Sequence, residues 1–152
     1  MSEKILMKVI GHNGQIELFN TKIRIKRKGF VASMTQRLKD DREIPIEQIS
    51  SIHFKKAGRF LNGYIQLTIV GRSEKEVEFW QAEHDENTII FTIKQQPAFE
   101  KINDFLDTKI TLSKKKKAEL SKLKLEELTI LRDMKIISEE EFREEKKQLL
   151  GN

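Results

Sequence analysis

The sequence contains no cysteine, which excludes disulfide bonds, thiol catalysis and zinc sites built on cysteine. Its apolar runs are short, and none approaches the roughly 20 residues that a membrane-spanning helix needs. The N-terminus lacks the pattern of a secretory signal peptide. Tryptophan and tyrosine occur once each, so few aromatic side chains other than phenylalanine are available for stacking on nucleic-acid bases. Together these absences favour a cytoplasmic location.

Recognisable catalytic and metal-binding motifs are also missing. His12, His53 and His84 are widely separated and lack the spacing of metal ligands. The turn GHNG at residues 11–14 lacks the lysine and the following helix of a phosphate-binding loop. The acidic cluster at residues 83–86 precedes a predicted strand, where a charged turn is expected. We therefore predict that the protein is not an enzyme and has neither a cofactor nor a catalytic metal.

Charge, in contrast, is abundant. Of the 152 residues, 35% are charged and 38% hydrophobic, which predicts a modest core under a highly charged surface. The formal net charge of +5 permits binding to nucleic acid or anionic lipid without requiring either. The length accommodates one domain of ordinary size and an appendage.

Most of the chain alternates apolar and polar residues in short runs that predict β-strands. The runs lie at residues 5–9, 15–19, 22–28, 43–56, 65–69, 76–80 and 88–94. After Pro97 the period changes to that of a helix. The residues expected on its buried face are Phe99, Ile102, Phe105 and Leu106. The pattern predicts an α+β fold, an antiparallel sheet followed by one amphipathic helix.

Six sequence blocks occur in order across this region. They are GHNG at 11–14, IPIxxI at 44–49, FKKAG at 54–58, GYIQL at 63–67, DENTxxF at 85–91 and KQQxxF at 94–99. In these blocks the chain resembles a bacterial PH-like domain of unknown function. The resemblance implies a PH-like antiparallel β-barrel whose C-terminal helix caps one open end. It implies little about activity, because a fold does not fix a function.

The C-terminal residues 120–150 have the most regular local pattern. They predict two helices joined by a tight corner at residues 134–137, and Ser138 with Glu141 predicts a capping box at the start of the second helix. The first helix carries more apolar surface than the second can cover. The residues that we expect at an oligomer interface are Leu123, Leu125, Leu128, Ile130, Leu131, Ile136, Ile137, Phe142, Leu149 and Leu150.

The hairpin pattern consists of LxxLRD at 128–133, IISEEEF at 136–142, Lys146 and a final Leu149-Leu150. It resembles the SHOCT module, a short helical hairpin at the C-termini of bacterial and phage proteins, and this resemblance implies oligomerisation. Family members usually have glycine at the corner, where this chain has Lys135. The surplus apolar surface has two possible partners, the main domain of the same chain or another copy. The predicted domains are a PH-like domain at 1–108, a lysine-rich linker at 109–117 and the hairpin at 118–152.

Cations alternate along the predicted strand at residues 22–28. Lys22, Arg24, Lys26 and Lys28 share one side of the strand, and Phe30 follows. One interpretation is a solvated strand face whose charges discourage edge pairing. The other is a face that binds anions or lipid.

These features predict a non-catalytic interaction or scaffold protein, a PH-like binding domain that the hairpin assembles into a homo-oligomer, with an unidentified protein partner. The alternative is peripheral binding to an anionic membrane surface through residues 22–28 and Phe30. Nucleic-acid binding is the least favoured hypothesis, because the sequence has no recognisable helix-turn-helix.

Overall fold

Two antiparallel sheets form the β-part of the molecule. The computed structural model describes residues 3–27, 41–71 and 86–151, and the chain divides into two units, Met1–Ile110 and Thr111–Asn152. The sheets belong to the first unit and two helices follow them, so the predicted α+β class is confirmed. The first sheet has the order β1 (Met7–Ile10), β2 (Gly14–Leu18), β3 (Lys22–Arg27) and β4 (Arg42–Pro45). The second has the order β5 (Ile49–Lys55), β6 (Gly63–Ile69) and β7 (Thr88–Phe91).

Alternation along the strands places one apolar face of each sheet in a shared core. Ile16 pairs with Ile25 and Leu18 with Ile23 across β2 and β3, and all four side chains are buried. The second sheet adds Ile65, Leu67, Ile89 and Phe91.

Helix α1 (Gln96–Asp133) completes this core with its first turns. The predicted residues Phe99, Ile102 and Leu106 are fully buried, and Phe105 packs against the core while only partly buried. The ring of Phe99 stacks on that of Phe91, with 4.6 Å between centroids. The predicted apolar face of the helix is therefore confirmed.

The described strands do not form the single closed barrel that the sequence led us to expect. Strand β4 ends at Pro45, which has no backbone N–H to extend a ladder, and a 3-10 turn, Ile46–Gln48, leads to β5. Within the described ranges no ladder joins the two sheets. The strand predicted at residues 76–80 lies outside them.

The turn between β1 and β2 connects the sheets instead. The backbone N–H of His12 donates to the carbonyl of Ile90 in β7 at 2.7 Å, and Asn13 Oδ1 accepts from the Ile90 N–H at 2.8 Å. Gly11 has no room for a side chain, because a Cβ there would lie 2.5 Å from the Ile90 carbonyl oxygen. This turn therefore fixes the approach of the two sheets.

The second unit consists of the C-terminal part of α1 and helix α2 (Glu139–Leu150). Residues 109–117, expected as a linker, are helical and belong to α1. Ser138 and Glu141 form the predicted capping box, and the hydrogen bond from the Ser138 N–H lowers the pKa of the Glu141 carboxyl. Neither helix in the described part of the chain combines the length and apolar character needed to cross a membrane.

The corner between the helices has a left-handed backbone conformation, which glycine adopts most readily. Lys135 has a φ of 59°. The N–H groups of Lys135 and Ile136 donate to the carbonyls of Arg132 and Leu131, each at 2.9 Å. This is the Schellman arrangement, built here on a residue with a side chain.

Candidate interaction surfaces

The alternating cations of β3, which we call the basic ladder, lie on the face of the first sheet opposite the core. Lys22, Arg24 and Lys26 alternate in β3 with the buried Ile23 and Ile25. Lys28 and Phe30, which were predicted to belong to the same surface, lie outside the described residues. The structure therefore shows the position of three of the four cations in the basic ladder.

One row across this face alternates in sign. Lys8, Glu17, Arg24 and Glu43 come from the four successive strands and are direct cross-strand partners. Opposite charges at directly paired positions attract, whereas like charges there would repel. The register of the sheet thus converts a basic strand into part of a mixed-charge surface.

Arg24 occupies the centre of the row. Its Nη2 and Nε donate to Glu43 Oε1 at 2.8 and 3.2 Å, and its Nη1 donates to Glu17 Oε2 at 3.2 Å. The Glu17 side chain is only 4% exposed, so its carboxylate needs these partners to offset desolvation. The Arg24 guanidinium also lies 4.9 Å from the centre of the Phe19 ring.

The flanking lysines are paired as well. Lys22 Nζ lies 3.1 Å from both Glu43 Oε2 and Glu3 Oε2, and Lys26 Nζ lies 3.5 Å from Glu17 Oε1. An external anion would have to compete with these three carboxylates.

The pKa values follow the same contacts. Hydrogen bonds from Arg24 and then Lys22 lower the pKa of the Glu43 carboxyl. The hydrogen bond to Glu43 raises the pKa of Lys22 and that of Arg24. Glu43, Lys22 and Arg24 therefore stay charged over the whole neutral range.

The predicted interface residues of the second unit lie in three environments. Phe142 is buried, with the Arg132 guanidinium 4.4 Å from its ring centre. Leu125, Leu128, Leu131, Ile137 and Leu149 are half-buried. Leu123, Ile130, Ile136 and Leu150 are exposed.

A groove of about 580 Å³ runs between the two helices of this unit. Leu128, Leu131 and Leu149 form its apolar part. Its polar lining residues are Lys124, Glu127, Glu145 and Gln148. These three half-buried leucines are therefore still accessible to solvent through the groove.

A stripe of exposed apolar residues follows α1 beside this groove. Leu120, Leu123, Ile130 and Met134 are between 53 and 64% exposed. Together with Glu127 they step along the helix by three and four residues, which places them in one row. Leu123 and Ile130 were predicted interface residues, whereas Leu120 and Met134 were not, although the spacing through Glu127 identifies all four as one row.

The loop at residues 56–62, between β5 and β6, presents a second apolar feature that sequence analysis missed. Phe60 is 91% exposed and Leu61 63%. The available signal was an apolar pair placed between a basic run and the turn residues Asn62-Gly63. We call residues 56–62 the β5–β6 loop.

The candidate acidic cluster at residues 83–86 lies mostly outside the described residues, and so does His84. In the described ranges, no group of three or more histidine, aspartate and glutamate residues is arranged to hold a metal ion.

Comparison with known proteins gives one positive result. No curated protein and no solved structure matches the chain. The family model "Domain of unknown function (DUF4429)" matches residues 19–106, which run from the end of β2 into α1 and make up more than half of the chain. The protein therefore belongs to the DUF4429 family.

Proposed function

We propose that this protein is a non-catalytic interaction protein in which the C-terminal hairpin joins two copies and thereby pairs their DUF4429 domains. The observation that carries the proposal is the exposed stripe of Leu120, Leu123, Ile130 and Met134 on α1. Four large apolar side chains in one row along a helix are typical of a helix–helix interface.

The stripe is distinct from the surface that α2 covers. Leu125 and Leu128 are half-buried in the hairpin, whereas Leu123 and Ile130 are exposed on the same helix. At about 100° per residue, each of these two exposed residues lies roughly 140–160° around the helix from each half-buried one. The second unit thus has an apolar face left over after the hairpin has formed.

The second unit also has little core of its own. Phe142 is the only buried hydrophobic side chain among its described residues. Units shorter than about 40 residues usually need a metal, disulfides or a partner copy, and Thr111–Asn152 is close to that length. Burial of apolar surface stabilises by about 25 cal/mol per Å², so pairing along the stripe would supply what the hairpin lacks.

Charges beside the stripe favour parallel pairing. Glu119 and Glu126 lie on one flank, and Lys117 and Lys124 on the other. In a parallel pair, Glu119 of one copy faces Lys124 of the other, whereas an antiparallel pair brings acid against acid. A second copy in parallel orientation therefore fits both the apolar row and its flanks.

The sequence resemblances support the same reading. The hairpin resembles the SHOCT module, which is associated with oligomerisation, and the first unit resembles a PH-like domain. Two copies of the PH-like domain in one dimer would convert weak individual contacts into avidity. The partner proposed for this domain is an unidentified protein.

Light scattering tests the pairing. We expect the full chain to have twice the 17.9 kDa chain mass and a chain truncated after Leu112 to be monomeric. That truncation keeps all the buried residues of α1, the last of which is Ile110.

The sharper variant is Leu123→Asp with Ile130→Asp. Both side chains are exposed, so the change should abolish pairing and leave the hairpin folded, whereas aspartate at Leu128 or Leu131 would damage the hairpin itself. The matched control is Ala118→Asp with Lys122→Asp, at exposed positions outside the stripe, and it should still pair. A full chain that is monomeric at tens of micromolar, or a control variant that dissociates equally, contradicts the proposal.

A further inference from the structure

The tip of the β5–β6 loop exposes two large apolar side chains in a strongly basic setting. Phe60 is 91% and Leu61 63% exposed. Lys55, Lys56 and Arg59 are exposed beside them, and residues 55–63 contain no acidic side chain. The Arg59 guanidinium lies 5.7 Å from the centre of the Phe60 ring, so charge and apolar surface occur at the same place.

The loop is held in shape by contacts at its base. The Gly58 N–H donates to the Leu61 carbonyl at 2.8 Å, which closes the tip. The Ala57 N–H donates to Gln96 Oε1 in the first turn of α1 at 2.7 Å. Gly63 packs so closely that a Cβ there would lie 2.6 Å from the Phe91 ring. The exposed pair is therefore presented from a structured turn.

The turn that precedes α1 adds to this surface. Gln96, which anchors Ala57, also binds the carbonyl of Thr92 through its own N–H. Ile93 and Lys94, in the same turn, are exposed. The apolar and basic character thus extends from the β5–β6 loop to an adjoining segment.

We propose that the β5–β6 loop docks on an anionic lipid bilayer, with Phe60 and Leu61 entering the interfacial region and Lys55, Lys56 and Arg59 contacting lipid phosphates. Aromatic and aliphatic side chains flanked by cations are the combination that binds at such an interface. A bilayer surface carries the opposite charge to this loop. The aliphatic Leu61 has no use in base stacking, which favours lipid over nucleic acid.

This site differs from the basic ladder in one decisive respect. The ladder cations Lys22, Arg24 and Lys26 are paired with carboxylates of their own unit. The β5–β6 loop has a uniform positive sign and brings apolar side chains with it. It is also independent of the stripe on α1, which belongs to the second unit.

Vesicle co-sedimentation of the full chain tests the proposal. We expect binding to vesicles of phosphatidylcholine with phosphatidylserine, weak binding to phosphatidylcholine alone, and a decrease on adding salt. Phe60→Ser with Leu61→Ser should lower the partition coefficient by roughly tenfold or more. The matched control, Ile10→Ser with Val70→Ser, replaces exposed apolar residues elsewhere in the first unit and should bind like the unmodified chain.

A charge-matched pair locates the electrostatic part. Lys55→Gln, Lys56→Gln and Arg59→Gln together should weaken binding by roughly a hundredfold, since each cation near an anionic surface contributes about a factor of five. Lys115→Gln, Lys116→Gln and Lys122→Gln remove the same charge from exposed positions of α1 outside the stripe and its flanks and should have a much smaller effect.

The absence of cysteine allows a direct readout of insertion. Leu61→Cys provides a single thiol for an environment-sensitive fluorophore, and its emission should shift to the blue on anionic vesicles. The same label at Val70→Cys should not shift. No binding to phosphatidylserine vesicles at low salt, equal losses in the two glutamine variants, or binding of the loop to RNA or protein but not to vesicles would each overturn the proposal. Light scattering in the absence of lipid measures the pairing of copies, so a failure of the lipid proposal can be distinguished from a failure of the pairing proposal.

Discussion

At the scale of single residues, Lys135 carries an identifiable backbone strain. Its φ of 59° is a left-handed conformation that costs an L-residue with a side chain roughly 1–2 kcal/mol. Glycine removes that cost but loses more entropy on folding. The balance favours glycine at this corner.

We therefore expect Lys135→Gly to stabilise the hairpin by about 0.5–1 kcal/mol. Thermal unfolding followed by circular dichroism at fixed protein concentration measures the change. Lys135→Ala is the control, because it removes the charge and the long side chain but keeps the Cβ and hence the strain. Equal effects of alanine and glycine would show that the backbone conformation is not the cause.

Glu43 determines a pH dependence at the same scale. Its pKa is lowered from 4.5 by Arg24 and Lys22, so the folded state binds the proton less tightly than the unfolded state. The stabilisation is therefore complete above the unfolded pKa and is lost as the pH falls through the lower folded value.

We expect the free energy of unfolding of the native chain to fall more steeply than that of Glu43→Gln as the pH decreases below about 5. Urea unfolding at several pH values measures both slopes. Glu47→Gln, in the 3-10 turn outside the charged row, should keep the native slope. Parallel curves for the native chain and Glu43→Gln would contradict the assignment.

At the scale of structural elements, the β1–β2 turn links the two sheets through Asn13. Its Oδ1 accepts the N–H of Ile90, a fully buried residue of β7. A buried N–H left without a partner costs about 1–3 kcal/mol. The Asn13 side chain thus accepts the hydrogen bond that a further strand would accept at the β7 edge of the second sheet.

Asn13→Ala should accordingly lower the free energy of unfolding by about 1–3 kcal/mol, measured by urea denaturation. Asn13→Asp keeps the accepting oxygen but replaces the 3.4 Å donation to the Thr88 carbonyl with a contact between two oxygens. It should still cost less than alanine, because a carboxylate is the stronger acceptor for the Ile90 N–H. The reverse order would mean that the contact to Thr88 is the more important one.

At the scale of the whole molecule, the two units differ in how many buried hydrophobic residues they contain. The first unit contains the main hydrophobic cluster, whereas Phe142 is the one buried hydrophobic residue in the described part of the second. Units with few buried apolar contacts open first. A unit stabilised by a second copy also gains stability with concentration.

We therefore expect two unfolding steps in denaturant. Circular dichroism should report an early loss of helix whose midpoint rises with protein concentration. The near-ultraviolet circular dichroism of the buried rings of Tyr64, Phe91 and Phe99 in the first unit should change later and independently of concentration. Leu123→Asp with Ile130→Asp should remove the concentration dependence, and a single coincident transition at all concentrations would contradict the expectation.

Local patterns predicted the elements well. The capping box of Ser138 and Glu141 involves residues three positions apart, and the helical face of Phe99, Ile102 and Leu106 repeats within three turns. Such features depend on neighbours in the chain, so the sequence alone contains them. The corner at residues 134–137 was predicted as well. Its left-handed conformation is the one that glycine favours, and Lys135 adopts it although it carries a side chain.

The sequence by itself therefore determined the α+β class, the starts of α1 and α2 and the apolar face of α1, because periodicity and capping act over a few residues; it did not show that α1 continues through residues 109–117. Tertiary structure alone decided how the strands group into sheets, which carboxylates neutralise the ladder, and that Phe60 and Leu61 remain exposed. Each of these depends on residues far apart in the chain. Glu17 and Arg24 meet only because of the register of β2 on β3, and a short apolar pair such as Phe60-Leu61 has the same local pattern whether or not another element covers it.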